Sequence, residues 1–333
     1  MVRQVLFWVL LYCLNAAVLA ANTPQKSVNI SDGQQVMLAM AAAMKSLNYQ
    51  GTVIFLKNGK LEAMKYFHAA KNEVEQERLL SLNSPLREII RDANRISCHF
   101  ISTQQVIVDQ RPVESSLLFD MPKNIAEQGL AYGFSVVGEE DVAMRPAIVI
   151  ALQPKDNYRY VRKIWVEKNY FLPLKVVIYD FSGLPLEQVM FTELELIDSL
   201  PFVSFNRSER EIALSNNNSL SSGPFAQPEA RLSLPNFVVT HIPYGFQQIF
   251  FARSPVHNSS QLVDHMVLSD GFSAVSVYME SKSAAMQSGL QSIGAVNSFS
   301  RALGDFELTV MGEVPASTVE YIADGIKLRE VTQ

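Results

Sequence analysis

The sequence predicts an α+β protein, mostly β. A large incomplete antiparallel β-barrel carries helical cover on its concave face, and a smaller α+β C-terminal domain follows it. Three observations predict this. Short strand-like runs separated by turn signals follow one another along most of the chain. An amphipathic helix precedes the first of them. A polar stretch, Asn206–Ser233, interrupts the pattern with Asn216-Asn217-Asn218, Ser221-Ser222-Gly223, Pro224 and Pro228. Such a stretch buries too little apolar surface to offset its ordering entropy and reads as a linker. The expected division is a leader at 1–20, a large domain at 21–205, the linker at 206–233 and a smaller domain at 234–333.

The leader has the form of a secretory signal. Arg3 lies in a short n-region, Val5–Leu14 is uninterrupted apolar chain, and Val18-Leu19-Ala20 offers a small-residue cleavage site before Ala21. Its apolar run is shorter than the roughly 20 residues that span a bilayer. The mature protein is expected to be exported. Cleavage removes Cys13 and leaves Cys98 alone, so no internal disulfide is expected.

The large domain opens on a helix, Gly33–Leu47, with Asp32 as its cap. Val36, Met37, Met40, Ala43, Met44 and Leu47 recur at spacings of three and four. Strands follow at Tyr49–Lys57, Lys60–His68, Val74–Leu82, Leu86–Arg91, Arg95–Ile101 and Gln104–Asp109. Asn58-Gly59 signals a type I′ hairpin between the first two. Met121–Tyr132 reads as helix, and strands resume at Ala147–Gln153, Tyr158–Glu167, Leu172–Phe181 and Leu186–Ile197. In the smaller domain strands are expected at Val238–Ile242, Gln248–Arg253, Met266–Ser269, Ala274–Glu280 and Asp305–Gly312. A helix is expected within Glu313–Lys327, capped by Ser317.

Thr52–Leu56 and Ile148–Leu152 are apolar on both faces, because successive strand residues point to opposite sides. Both faces are therefore covered by other elements, or one of them lines a cavity suited to a lipid chain. For the cavity reading the candidate lining is Val53, Phe55, Met40, Met44, Ile148, Ile150 and Trp165. Beside it, Lys155–Lys163 interleaves basic and aromatic residues. Arg159, Arg162 and Lys163 are candidates for a phosphorylated head, since guanidinium and ammonium pair well with phosphate. The competing reading is an exposed strand with solvated charges.

The net charge of −5 argues against a nucleic-acid partner, which needs clustered excess Lys and Arg. A composition 48% hydrophobic and 18% charged excludes a disordered chain. Nucleophile-elbow, zincin, Walker and dinucleotide motifs are missing. The five histidines show no metal-ligand spacing, and Cys98-His99 place adjacent side chains on opposite faces of a strand. Glu139-Glu140-Asp141 reads as a solvated turn. No catalytic residue, metal ligand or cofactor is assigned.

Ser46-Leu47-Asn48-Tyr49-Gln50-Gly51-Thr52 and Glu77-Arg78-Leu79-Leu80-Ser81-Leu82 resemble the RseB/MucB family. So do Phe134–Gly138, Leu152–Tyr160, Leu172-Pro173-Leu174, Pro243-x-Gly245-Phe246, Ser269-Asp270-Gly271 and Gly312-Glu313-Val314-Pro315. The resemblance runs in order through nearly all of the mature chain. It implies a periplasmic, non-enzymatic regulator of the σE (AlgU) envelope-stress response, whose large domain is similar to the lipoprotein carriers LolA and LolB. It implies that the chain binds the periplasmic domain of an RseA/MucA-like anti-sigma factor and protects it from site-1 proteolysis. Lipopolysaccharide or lipoprotein acyl chains would release this block. Pro243, Tyr244 and Phe246 are the candidate partner contacts, and a homo-oligomer is left open. A LolA-type lipid carrier is the alternative, against which the second domain weighs.

Overall fold

Asp32 starts the first helix, α1 (Gly33–Ser46), as expected: its Oδ1 accepts from the backbone N–H groups of Gln34 at 2.9 Å and Gln35 at 3.2 Å. These are donors that a helix start otherwise leaves unpaired. The computed structural model describes residues 28–72, 74–92, 95–101, 103, 105–109, 116–122, 124–202, 234–255, 262–283 and 287–329. The expected leader at 1–20 and linker at 206–233 lie outside the described residues.

From Tyr49 the chain forms a meander. Its strands are β1 (Tyr49–Lys57), β2 (Lys60–Lys71), β3 (Val74–Ser81), β4 (Arg87–Asp92), β5 (Arg95–Phe100) and β6 (Gln105–Asp109). After a gap come β7 (Tyr132–Val142), β8 (Arg145–Pro154), β9 (Val161–Glu167), β10 (Pro173–Tyr179) and β11 (Pro185–Leu196). Asn58 and Gly59, both at positive φ (53° and 70°), make the type I′ turn their sequence signals. β11 returns to pair with β1, giving one antiparallel sheet in the order β6-β5-β4-β3-β2-β1-β11-β10-β9-β8-β7. β6 and β7 end it as edges, so the barrel stays open.

The register fixes which side chains share a face. Phe55 pairs with Val189, Val189 with Val176, Val176 with Ile164 and Ile164 with Ile150. Cross-strand partners point the same way, so these residues, with Val53 and Ile148, line one face. Val36, Met37, Met40 and Met44 of α1 pack there against Ile148, Ile150, Leu152, Ile164 and Val176. This is the concave face, and the helix covers part of it.

The second unit has β12 (Phe237–Val239), β13 (Gln247–Pro255), β14 (Leu262–Ser269), β15 (Ala274–Ser281), β16 (Gly289–Ile293), β17 (Val296–Leu303) and β18 (Phe306–Gly312). Helix α2 (Ala316–Asp324) and β19 (Ile326–Leu328) complete it. The six-stranded sheet runs β13-β14-β15-β18-β17-β16, and β12 pairs with β19. Val319, Ile322 and Ala323 of α2 bury against Val275, Val277, Leu308 and Val310.

Four expectations are corrected. Among its described residues Met121–Tyr132 holds only a single 3₁₀ turn, Glu127–Leu130; Gly129 is a poor helix former, and Tyr132 already belongs to β7. Glu139-Glu140-Asp141 lies inside edge strand β7 rather than in a turn. β16 and β17, rich in Ser, Gln and Asn, are strands the sequence pattern did not announce. α2 begins at Ala316 after Pro315, and Ser317 does not cap it; its hydroxyl instead donates to the Asn157 carbonyl at 3.3 Å.

Candidate functional site

The candidate site lies where the two units meet. Its frame is the Asp156–Tyr160 stretch between β8 and β9. Arg159 is 0% exposed. Its Nε donates to the equally buried Asp270 carboxylate of the second unit, and its other nitrogens donate to Asp156 and to the Tyr244 carbonyl. Asp270 also accepts from Tyr132 Oη at 2.8 Å and from the backbone N–H groups of Phe272 (2.9 Å) and Ser273 (2.8 Å). The Arg159 guanidinium lies 4.8 Å from the Phe246 ring centroid. Burial opposes its charge, yet the hydrogen bond and attraction of Asp270 hold its pKa above the ordinary arginine value. Burial and the Asp270 charge push the Tyr132 hydroxyl well up.

Smaller contacts close the frame. Arg162 Nη1 donates to Ser273 Oγ at 3.1 Å, and Asn297 Nδ2 donates to Tyr160 Oη at 2.9 Å and to the Val314 carbonyl at 2.7 Å. Thr318 Oγ1 donates to the Tyr158 carbonyl at 2.9 Å, and the Tyr158 and Tyr321 rings stack at 4.7 Å. Gly271 takes φ 93°, and a Cβ there would collide with Pro122. A glycine is what lets the Ser269–Ser273 turn seat against the first unit.

Beside this frame opens a cavity of about 280 Å³. Its floor is the concave face: Phe55 of β1, Ile164 of β9, Val176 and Ile178 of β10 and Val189 of β11. Its wall is the irregular segment from Ser116 to Asp120, and Phe272 reaches in from the second unit. Glu77 of β3 anchors the wall: it accepts from Ser116 Oγ and from the Leu117 N–H, both at 2.6 Å. Glu77 also accepts from Tyr66 Oη at 2.7 Å and pairs with buried Arg91 at 2.8 Å.

The mouth is charged. Lys57 Nζ lies 3.0 Å from both Glu187 and Glu313, and Arg162 completes the ring. Burial and the adjacent Glu313 carboxylate push Glu187 up to about 7. Burial opposes the charge of Glu313 too, but Arg162 and Lys57 hold it below the usual carboxylate range. Burial works against the Lys57 ammonium, and the two carboxylates raise its pKa regardless.

Of the expected cavity residues, Phe55 lines the cavity itself. Val53 is buried on the same face, and Met40, Met44, Ile148 and Ile150 form the helix-covered core beside it. Trp165 does not belong to the cavity. It pairs with Val149 and Lys175 on the opposite face, donates to Glu140 at 2.8 Å and sits under the Lys175 ammonium.

The basic run is not an exposed strand, because β9 begins only at Val161. Arg159 is spent on the domain junction, Arg162 faces the cavity mouth, and Lys163 lies on the far face over the Tyr179 ring. Pro243 and Phe246 are buried in the turn that accepts Arg159, and only the Tyr244 ring, 63% exposed, is open to solvent. Sequence reasoning missed Lys57, Glu187, Glu313 and Asp270. Each lay in a stretch singled out for another reason: Lys57 beside the Asn58-Gly59 turn, and Glu187, Asp270 and Glu313 in the Leu186-Glu187-Gln188, Ser269-Asp270-Gly271 and Gly312–Pro315 motifs. Cys98 is half-buried, and burial raises its thiol pKa. Among the described residues no His/Cys/Asp/Glu group is arranged to hold a metal, and no helix is long and apolar enough to cross a membrane.

Comparison with known proteins agrees with this two-unit architecture. Residues 32–209 match the MucB/RseB N-terminal domain, and residues 232–327 match the MucB/RseB C-terminal domain. The chain belongs to the MucB/RseB family. It is 28% identical over 302 residues to the sigma-E factor regulatory protein RseB of Salmonella typhimurium, covering 88% of this chain and 89% of the relative. It is 27% identical over 311 residues to the sigma factor AlgU regulatory protein MucB of Pseudomonas aeruginosa, covering 91% and 93%. The crystal structure of MucB in complex with MucA(peri) superposes with a TM-score of 0.66 at 24% identity, over 90% of this chain and all of that one. The Pseudomonas aeruginosa MucA/MucB complex gives a TM-score of 0.68 at 24% identity, over 90% and 99%.

Proposed function

We propose that the chain is a periplasmic regulator, not an enzyme, that holds the periplasmic domain of an RseA/MucA-like anti-sigma factor and shields it from the first proteolytic cut. An acyl chain of lipopolysaccharide or a lipoprotein, entering the concave cavity, releases it. Family membership supports the partner class, since relatives are named as sigma-factor regulators and solved MucB structures contain MucA. The observation that carries the release step is the position of the cavity. It lies on the seam between the two units, with Phe272 and Glu313 of the second unit among its lining. A ligand that wedges this seam changes the relative placement of both units. A partner spanning them then loses affinity by linkage, provided the ligand prefers the unbound form.

At about 280 Å³ the cavity lies just under the roughly 300 Å³ where ligand pockets begin. It admits one chain segment, and a larger lipid requires the Ser116–Asp120 wall to move.

The test uses the mature chain, the cognate anti-sigma periplasmic domain and its site-1 protease. Cleavage should slow at saturating regulator and resume when lipopolysaccharide is added. Cleavage that never slows would overturn the partner assignment. Slowing that lipopolysaccharide and acylated peptide both leave intact would overturn the release step.

A further inference from the structure

The mouth of the cavity holds two cations, Lys57 and Arg162, as an anion site would, but two acids of the protein's own, Glu187 and Glu313, fill it. Glu313 comes from the other unit, on the loop between β18 and α2, and lies 3.0 Å from Lys57 with Arg162 facing it. The loop is built to deliver it. Gly312 packs so tightly that a Cβ would collide with the Ala274 carbonyl, and Asn297 holds the Val314 carbonyl at 2.7 Å. The apolar floor of Phe55, Ile164, Val176 and Val189 begins behind this carboxylate.

We infer that Glu313 is a built-in stand-in for the head of an anionic amphiphile. A phosphate on an acyl chain must displace the Glu313 carboxylate from Lys57 and Arg162, and with it the β18–α2 loop, to seat the chain. The inference rests on the cavity being a lipid-chain site. It adds that the head, rather than the chain, breaks a contact between the two units. A phosphate dianion competes well because it offers more acceptor oxygens to the same two donors than a carboxylate does. An uncharged amphiphile fills the floor and leaves Glu313 in place. Glu187, at 3.0 Å from Lys57, stays behind on β11 and belongs to the first unit only.

The experiment titrates the mature chain with decyl phosphate, decyl maltoside and inorganic phosphate, each below its micelle concentration where one exists. Binding is read by calorimetry and the loop by amide exchange at Glu313 and Val314. Decyl phosphate should bind and speed exchange in the loop. Decyl maltoside should bind without speeding it, and inorganic phosphate, lacking a chain, should do neither. Glu313→Gln should tighten decyl phosphate about tenfold, the loss of one charge-assisted competitor, with decyl maltoside changed less than twofold. Glu313→Asp, which shortens the reach without removing the charge, should gain less, and Lys57→Met should weaken decyl phosphate alone.

Equal decyl phosphate affinity in wild type, Glu313→Gln and Glu313→Asp would overturn the competition while leaving the cavity reading intact. Failure of both amphiphiles to bind would overturn the cavity reading and this inference with it. Inorganic phosphate opening the loop by itself would show a simple anion site, also against the inference.

Discussion

Removing the charge of Arg159 should uncouple the two units. In Arg159→Met the aliphatic stem still fills its space under Phe246, but Asp270 is left buried without its cation. Breaking a buried pair from one side costs about 3–5 kcal/mol. The lower end applies here, because Asp270 keeps Tyr132 Oη and two backbone N–H donors. The complementary Asp270→Asn leaves Arg159 with Asp156 as its one carboxylate beside the Tyr244 carbonyl, at a similar cost. The double variant strands neither charge, so it should recover roughly 2 kcal/mol or more of the summed loss, a coupling well above the ~0.5 kcal/mol scatter of independent sites.

In scanning calorimetry each single variant should lower the transition that includes the second unit by roughly 12–24 °C, at about 4–8 °C per kcal/mol for a unit of about 100 residues. The double variant should regain part of that shift. An additive cycle would refute the claim that this pair joins the units.

Two further outcomes follow from the buried carboxylates. Glu187 in the folded protein titrates near 7, above its ordinary 4.5, so between those values the folded state holds a proton the unfolded state lacks. Stability should therefore be greatest near pH 5 and fall as pH rises to about 7. The depressed Glu313 acts below 4.5 and leaves this window alone. Glu187→Gln should flatten the slope in chemical denaturation at pH 5–7.5, and an unchanged slope would locate the proton elsewhere. Glu77→Gln should weaken the anchor of the cavity wall by about 1.5–3 kcal/mol, the range for a hydrogen bond to a charged group. The readout is faster exchange of the Leu117 amide, which donates to Glu77; protection equal to wild type would show that the wall is held by its apolar side chains alone.

How much was legible depends on whether a residue's environment is set locally. α1 was, because Asp32 and the Val36–Met44 stripe encode start and face within about three and a half turns. The Asn58-Gly59 hairpin was, because only a few residue types tolerate two successive positive φ values. β7 was not. It is an edge strand whose Glu139, Glu140 and Asp141 are solvated, so it lacks the apolar alternation of an interior strand and takes its hydrogen bonds from β8 alone. β16 is likewise an edge strand, while β17 lies between β18 and β16 but Asn297, Ser298 and Ser300 dilute its pattern. The Lys155–Lys163 run misled because its strand was started at Tyr158. β9 begins at Val161, and the residues before it turn toward the second unit.

The sequence by itself determined the mostly β class, the helix on the concave face, the apolar character of Phe55, Ile148 and Ile150, and, through its motifs, the family. Each of these is written in periodicity or in residues a few positions apart. Only the tertiary structure decided that Arg159 joins two units instead of meeting a lipid head, that Trp165 faces away from the cavity, and that Lys57, Glu187 and Glu313 share one mouth. These groups lie up to 256 positions apart in the chain. A charge is chemically the same whether solvated or buried; its role is fixed by which carboxylate the fold brings within 3 Å of it.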